Sequence, residues 1–176
     1  MITYELALLI GAVLLLAYIV YAMIAKRNKK RMIVTCLFII YLVGVAIVTL
    51  FPIVYSDPVE YTDAIKWYNF IPFKTAISAF QNGITTTAVA QIIGNIVLSV
   101  PFGTFVLILF RIPQWWKKAL IALIFPVLIE CTQLIIGIVI GNMYRNIDVD
   151  DILFNMLGVF LGYAIYTVIP QRIKQL

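Results

Sequence analysis

Histidine is absent from this sequence, charged residues make up only 12% of it, and it contains two cysteines. Without histidine, the chain cannot build a Ser-His-Asp triad or a metal site with imidazole ligands. Cys36 and Cys131 lie in different apolar runs, so we interpret both as small hydrophobic residues without a disulfide. Hydrophobic residues make up 64% of the chain, far above the proportion in soluble domains. The sequence therefore predicts an integral membrane protein.

A transmembrane helix needs about 20 predominantly apolar residues, and five runs in this sequence approach or exceed that length. They cover residues 6–24, 33–51, 91–110, 119–140 and 152–169. We therefore predict an all-α membrane protein with five transmembrane helices. Glu5 precedes the first run and five basic residues follow it, which is the reverse of a cleaved signal peptide. We expect the first run to remain in the mature protein.

The positions of lysine and arginine predict the orientation of the chain. Ten of these 13 residues fall on one side of the predicted bilayer, in residues 26–31, 111–118 and 172–174. The other side holds Lys66, Lys74 and Arg145, together with every acidic residue except Glu130. By the positive-inside rule, we expect the N-terminus outside and the C-terminus in the cytoplasm. Because topology accounts for the net charge of +5, we do not expect nucleic acid as a partner.

The loop between the second and third spans has a composition of its own. It contains aromatic residues that are typical of a membrane interface, namely Tyr55, Tyr61, Trp67 and Tyr68. Apolar residues then recur every three or four positions, at Phe73, Ile77, Phe80 and Ile84. This pattern predicts an interfacial amphipathic helix over residues 75–82, ended by Gly83. We interpret it first as a membrane anchor, and alternatively as a lid or docking surface for an amphiphile.

Polar residues inside the spans are informative because each is unfavourable unless it faces protein or a water-filled cavity. They recur at helical spacing in three spans: Gln91, Asn95 and Ser99 in the third, Glu130 and Gln133 in the fourth, and Asp151 and Asn155 in the fifth. In the predicted orientation, these three stripes overlap between the outer surface and the middle of the bilayer. They predict one outward-facing polar cavity.

Several of these features also fit a structural role. Asp148 and Asp151 have the spacing of a helix N-cap and its third residue. The glycine pairs at 137 and 141 and at 158 and 162 are typical of closely packed helices. Asn95 and Gln133 suit interhelical hydrogen bonds as well as ligand contacts.

Glu130 favours a functional interpretation, because a carboxyl group at the centre of a span costs about 2.5–3.5 kcal/mol on insertion scales. A rise of about 1.5 Å per residue places it ~15 Å from Gly141, near the end of the fourth span. Arg145 should then be out of its reach unless the chain folds back into the membrane. We expect Glu130 to form hydrogen bonds with other polar residues in the spans, namely Asn95, Ser99 or Gln133.

Four segments together resemble the VanZ-like membrane proteins, and they occur in order at compatible spacings. They are NFIPF at 69–73, GNIVLSVPFG at 94–103, ECTQ at 130–133 and RNIDVDDILFNMLG at 145–158. The resemblance covers residues 35–170, which we interpret as a VanZ-like membrane domain. Residues 1–34 would form an extra span with a basic cytoplasmic loop, and residues 171–176 a cytoplasmic tail.

The resemblance implies a multi-pass protein of the bacterial plasma membrane that gives low-level resistance to teicoplanin, a lipoglycopeptide antibiotic. In the first hypothesis, the cavity binds the antibiotic's lipid tail, a membrane lipid or a lipid-linked cell-wall precursor without catalysis. Arg145 and Lys74 would then meet anionic head groups. The candidate ligand-binding residues are Asn69, Lys74, Gln91, Asn95, Ser99, Glu130, Gln133, Arg145, Asp148, Asp151 and Asn155.

Two other hypotheses remain open. In the second hypothesis the protein is an enzyme acting on a lipid-linked substrate, with Glu130 as general acid or base and the acidic cluster at 148–151 activating water or holding a hard cation. In the third hypothesis it is a partner subunit whose polar stripes only pack. We favour binding because no histidine, nucleophile elbow or metal motif completes a catalytic set, and we expect no metal and no cofactor.

Overall fold

The computed structural model describes residues 2–53, 68–83, 85–141 and 145–171. The elements in chain order are α1 (Glu5–Ile24), α2 (Lys29–Leu50), β1 (Tyr68–Asn69), α3 (Lys74–Asn82), α4 (Thr86–Phe110), α5 (Trp115–Ile140), β2 (Ile147–Asp148) and α6 (Val149–Val168). Within the described part of the chain, α1, α2, α4, α5 and α6 are long and apolar enough to cross a membrane. All five predicted spans are thus present as helices.

Several helices begin before the apolar runs that predicted them, because polar side chains cap their first turns. Asn28 accepts a hydrogen bond from the Lys30 backbone N–H at 2.9 Å, at the start of α2. Thr85 accepts one from the Ala88 N–H at 3.2 Å, at the start of α4. Such caps satisfy N–H groups that have no partner within the helix. Hydropathy therefore locates the apolar part of α2 and of α4, whereas the capping residue determines where each of these helices begins.

Contacts between helix ends show the direction of each helix. Ile2 and Ile53 exchange backbone hydrogen bonds of 2.9 and 3.1 Å, which places the start of α1 beside the end of α2. At the opposite end, Arg31 donates to the Leu109 carbonyl at 3.3 Å and Tyr163 donates to the Lys118 carbonyl at 3.0 Å. We call this second end, with residues 24–31 and 110–118, the basic end. The other end, where α1, α4 and α6 begin, is the acidic end.

The main apolar core joins α2, α4, α5 and α6 and lies mostly toward the basic end. Its buried residues are Val45, Leu107, Ala122, Phe125, Val159 and Tyr163. The rings of Phe102 and Phe125 stack within it with a centroid separation of 3.8 Å. This packing leaves the acidic half of the bundle for polar side chains.

Helices α4 and α6 run parallel and touch through their backbones. A Cβ atom added at Gly158 would overlap the Ile96 carbonyl oxygen, and one added at Gly162 would overlap that of Val100. The interpretation of this glycine pair as a packing surface is confirmed. Gly141 is different, since its φ of +71° ends α5 and no described atom lies within 4 Å of an added Cβ. The packing interpretation was wrong for Gly141, which serves the backbone turn.

The short helix predicted between the second and third spans is present as α3, and Gly83 follows it as predicted. Its apolar residues point away from the bundle, because Phe73 is 51% exposed and Ile77 is 48% exposed. Phe70 and Ile71, just before it, are exposed as well. The remaining predicted positions lie outside the described residues or side chains, namely Tyr55, Tyr61, Trp67, Phe80 and Ile84.

Candidate functional site

After α5, the chain folds back into the bundle. The backbone N–H of Asp148 donates to Glu130 Oε2 at 3.2 Å, although Glu130 lies well before the end of α5 at Ile140. The expectation that the loop after α5 stays beyond the end of that helix is therefore wrong. It also gives Glu130 a donor other than the three side chains we predicted. Asn95 donates to Asp151, and Gln133 donates to the Thr49 carbonyl at 2.9 Å.

The returning segment adds a small parallel sheet to the helical fold. In this sheet, β1 pairs with β2 so that Tyr68 lies opposite Ile147 and Asn69 lies opposite Asp148. The side chain of Asn69 also donates to Asp148 Oδ1 at 2.8 Å. Hydropathy could not predict this sheet, because each strand has only two residues and its partner lies far away in the sequence.

The N-terminus of α6 is capped as predicted. Asp148 is the N-cap residue, and its carboxylate accepts the Asp150 backbone N–H at 2.9 Å. Its other oxygen lies 3.5 Å from Gln91 Nε2 on α4. One carboxylate therefore joins the start of α6 to both β1 and α4.

Asp150 has a role that our sequence analysis missed. It is fully buried, and its carboxylate accepts the backbone N–H groups of Phe73 and, at 2.8 Å, of Thr75. These groups belong to the first turn of α3, whose own N-cap residue Phe73 provides no side-chain cap. Asp150 thus caps α3 from α6. The only signal in the sequence is a third carboxylate in the 148–151 cluster, which does not indicate its partner.

A ladder of hydrogen bonds joins the polar stripes of α4 and α6. Asp151 Oδ1 accepts from Gln91 Nε2 at 2.9 Å and from Asn95 Nδ2 at 2.6 Å. Further along, Ser99 donates to Asn155 Oδ1 at 2.5 Å, and Asn155 donates to the Asp151 carbonyl at 2.6 Å. The prediction that these stripes face protein is confirmed. Ser99 and Asn155 are buried within this contact.

A polar cavity of about 510 Å³ lies beside the ladder, between α2, α4, α5 and the returning segment. Its lining residues are Val48, Thr49, Ala90, Gln91, Gly94, Asn95, Leu98, Gln133, Arg145, Asn146 and Asp151. Arg145 donates to the Phe51 carbonyl at 3.1 Å and contacts that of Val48 at 3.4 Å. Because these carbonyls lie at the C-terminal end of α2, where the helix dipole favours a cation, they hold the guanidinium at the cavity wall.

The structure divides the candidate ligand-binding residues into groups. Those at the cavity wall are Gln91, Asn95, Gln133, Arg145 and Asp151. Those that instead join elements around it are Asn69, Ser99, Glu130, Asp148 and Asn155. Lys74 is exposed at the start of α3. Thr49 and Asn146 also line the cavity, although neither belongs to one of the predicted polar stripes.

The cavity offers hydrogen-bond donors and acceptors of several kinds. The side chains supply amides, one guanidinium and one carboxylate. Within the residues that the structure describes, no group of three or more His, Cys, Asp and Glu side chains is arranged to hold a metal ion. The available groups suit a polar ligand held through hydrogen bonds and charge.

The helices and this cavity define the protein as a multi-pass membrane protein with a polar cavity between its spans. The sequence model of the VanZ/LLP1 family matches residues 38–170, so the chain belongs to that family. No curated protein and no solved structure matches the chain. The matched range includes most of α2 and all of α4, α5 and α6, whereas α1 lies outside it.

Proposed function

We propose that this protein binds the polar head group of a membrane amphiphile in the cavity and thereby gives low-level resistance to lipoglycopeptides such as teicoplanin. The observation that carries the proposal is that Arg145, Asp151 and four side-chain amides line one cavity among membrane-spanning helices. Candidate ligands are a membrane lipid and a lipid-linked cell-wall precursor, each of which carries a polar head group.

The size and chemistry of the cavity support a head group as ligand. Its volume of about 510 Å³ is within the range of small-molecule sites. Arg145 supplies a fork of N–H donors that matches a phosphate or carboxylate. Gln91, Asn95 and Gln133 carry amides that can donate to or accept from hydroxyl groups. An anionic head group with several hydroxyls fits this set of partners.

We further propose that the acidic end faces outward from the bacterial plasma membrane, with α3 on the membrane surface. Basic residues at the opposite end support this orientation. The exposed side chains of Phe73 and Ile77 support the placement of α3, because they would enter the interface. Lys74, also exposed, would lie at the level of anionic head groups.

Labelling of single cysteines tests the orientation, starting from a variant in which Cys36 and Cys131 are replaced by alanine. Cysteine placed at Gln81 should react with an impermeant maleimide in intact cells, because Gln81 is exposed in α3 at the acidic end. Cysteine placed at Asn28, at the basic end, should react only after permeabilisation. The reverse pattern would put the cavity on the cytoplasmic side and contradict the proposal.

Resistance measurements test the function. Arg145→Ala and Asn95→Ala should each abolish the increase in the minimal inhibitory concentration of teicoplanin while the protein still reaches the membrane. Leu9→Ala, an exposed position of α1, is a matched truncation that should leave resistance unchanged. Full protection by both cavity variants would exclude the cavity as the functional site.

One observation favours an enzyme as a second candidate. A carboxylate, that of Asp151, and a cation, that of Arg145, line the same cavity. Glu130 is not among the described lining residues, so Asp151 replaces it as the candidate acid or base. Incubation of the purified protein with a lipid-linked cell-wall precursor, followed by mass spectrometry, distinguishes the two functions. Binding predicts retained, unaltered lipid, whereas an enzyme would yield a product that Asp151→Asn no longer forms.

A further inference from the structure

A second depression lies directly beside the polar cavity, on the exposed face of α4 that carries Val89 and Ile93. This α4 groove has a volume of about 440 Å³ and is lined by Thr85, Thr86, Val89, Ala90, Ile93 and Gly94. Ala90 and Gly94 also line the polar cavity. The two spaces therefore meet at these two small residues, which follow one another by one helical turn on α4.

The two spaces differ in chemistry in the way that the two parts of an amphiphile differ. The polar cavity is lined by a guanidinium, a carboxylate and amides. Among the residues that the structure describes, the α4 groove beyond the threonines at its start is lined by hydrocarbon, including Val89 at 39% exposure and Ile93 at 54% exposure. A head group is stabilised by the first environment and a hydrocarbon chain by the second.

Gly94 has no packing reason to be glycine. A Cβ atom added there would meet no described atom within 4 Å, in contrast to one added at Gly103 on the same helix, which would overlap the Val159 carbonyl oxygen. Glycine inside a helix is less favourable than alanine by roughly 0.5–1 kcal/mol. Gly94 lines both the polar cavity and the α4 groove, and because it has no side chain it places no atom beyond its backbone between them.

We propose that the polar cavity and the α4 groove form one site for a single phosphate-bearing amphiphile. The head group lies in the polar cavity against Arg145, and one hydrocarbon chain passes over Gly94 and Ala90 into the α4 groove. This inference rests on the proposed function and adds the class of ligand and the route of its chain. It makes Gly94 a specificity-determining residue that admits a chain without binding the head group.

The groove between α1 and α2 provides an internal comparison. It is also apolar, with a volume of about 310 Å³, and Gly44 lines it. A Cβ atom added at Gly44 meets no described atom within 4 Å, as at Gly94. None of the described residues that line this groove also lines the polar cavity. It can hold a lipid chain, but it offers no place for the head group of that lipid.

The test uses the full chain in phosphatidylcholine nanodiscs that contain a trace of photo-activatable lipid. Two probes carry the same diazirine-bearing acyl chain, one on phosphatidylglycerol and the other on phosphatidylcholine. After irradiation, mass spectrometry compares cross-links to the α4 groove with cross-links to the exposed face of α1. A probe that only surrounds the protein should cross-link to both faces equally. Cross-linking by phosphatidylglycerol that exceeds that by phosphatidylcholine at the groove, but not at α1, therefore indicates binding at the site.

In the parent protein, cross-linking of the groove by phosphatidylglycerol should exceed that by phosphatidylcholine about tenfold, which corresponds to ~1.4 kcal/mol. Gly94→Leu should remove this excess, because leucine fills the passage. Gly44→Leu, the matched control in the other groove, should retain it. Both variants should unfold at the parent temperature, since the new side chains enter open space. If Gly94→Leu is poorly folded, Ala90→Leu narrows the same passage and should give the same loss.

Arg145→Gln separates this inference from the function on which it rests. If Arg145→Gln removes the excess but Gly94→Leu and Ala90→Leu keep it, the head group binds in the polar cavity and the proposed chain route is overturned. If the parent shows no excess, or Arg145→Gln retains it, the proposed head-group site itself is overturned.

Discussion

The α4–α6 pair and the α1–α2 pair are held together by different atoms. Between α4 and α6, backbones touch at Gly158 and Gly162, and polar side chains bond across the contact. Between α1 and α2, the close approach at Gly11 is to the Val43 side chain, 2.5 Å from an added Cβ. Close contact between two backbones requires glycine, whereas contact with the end of an aliphatic side chain tolerates substitution.

The physical origin of this difference is the membrane itself. Lipid chains are as apolar as leucine, so aliphatic side chains gain little by leaving lipid for a neighbouring helix. Small residues and interhelical hydrogen bonds provide the specific attraction. The VanZ/LLP1 match begins at residue 38, within α2, so it includes the α4–α6 pair and leaves α1 outside. The part of the chain that the family model matches therefore contains the backbone contacts and hydrogen bonds between α4 and α6.

Gly158→Ala should have the largest effect on stability. The added methyl group meets the Ile96 carbonyl, which cannot move without shifting α4, so we expect a loss of about 3 kcal/mol, the upper part of the usual range for overpacking. Reversible unfolding in mixed micelles measures it. Gly11→Ala should lose less than about 1 kcal/mol, because Val43 can turn aside. Equal losses for the two variants would remove the distinction between the helix pairs.

Asp150→Ala should have the second largest effect, and the effect should be confined to α3. The backbone N–H groups of Phe73 and Thr75 lose their acceptor, so we expect a total loss of about 2 kcal/mol, the upper part of the range for removal of a helix cap. Hydrogen exchange of these amides should accelerate while that of the α4 core stays slow. Glu5→Gln in the first turn of α1 is the control and should leave exchange in α3 unchanged. Unchanged protection in Asp150→Ala would contradict the capping role.

The hydrogen bond between Ser99 and Asn155 should contribute a smaller amount. A double-mutant cycle with Ser99→Ala and Asn155→Ala isolates its coupling energy, which we expect near ~0.6 kcal/mol, the average for such pairs in membranes. Thr35→Val is a suitable control, since the Thr35 hydroxyl donates to the Arg31 carbonyl of its own helix. A coupling of zero would mean that this hydrogen bond adds nothing to the backbone contacts and the Asp151 hydrogen bonds that also join α4 to α6.

Removal of residues 2–27 should have the smallest effect on the site. The shortened chain loses α1 and the pairing of Ile2 with Ile53, but keeps Asn28, which caps α2, and every residue of the polar cavity. Lys29, Lys30 and Arg31 remain at the start of α2 and should preserve its orientation. We expect the excess of phosphatidylglycerol cross-linking at the α4 groove to be retained. Its loss in a folded shortened chain would show that α1 supports the site after all.

The sequence predicted the polar stripes better than it predicted their partners. Spacing alone placed Gln91, Asn95 and Asp151 on faces that avoid lipid, and the structure joins these faces. It did not predict Asp150 as the cap of α3, whose Phe73 lies 77 residues away in the sequence. Nor did it predict that Glu130 would bind the Asp148 backbone, because that contact requires the chain to turn back after α5.

The spans, the N-cap of α6 and the asymmetry of charge follow from the sequence alone, because each depends on the free energy of a local segment in hydrocarbon or at its edge. Which carboxylate of the 148–151 cluster serves which partner was decided only by the tertiary structure. Asp148 caps its own helix, Asp150 caps α3, and Asp151 joins α4. Neighbouring carboxylates have the same chemistry, so only the positions of distant donors can assign them different roles.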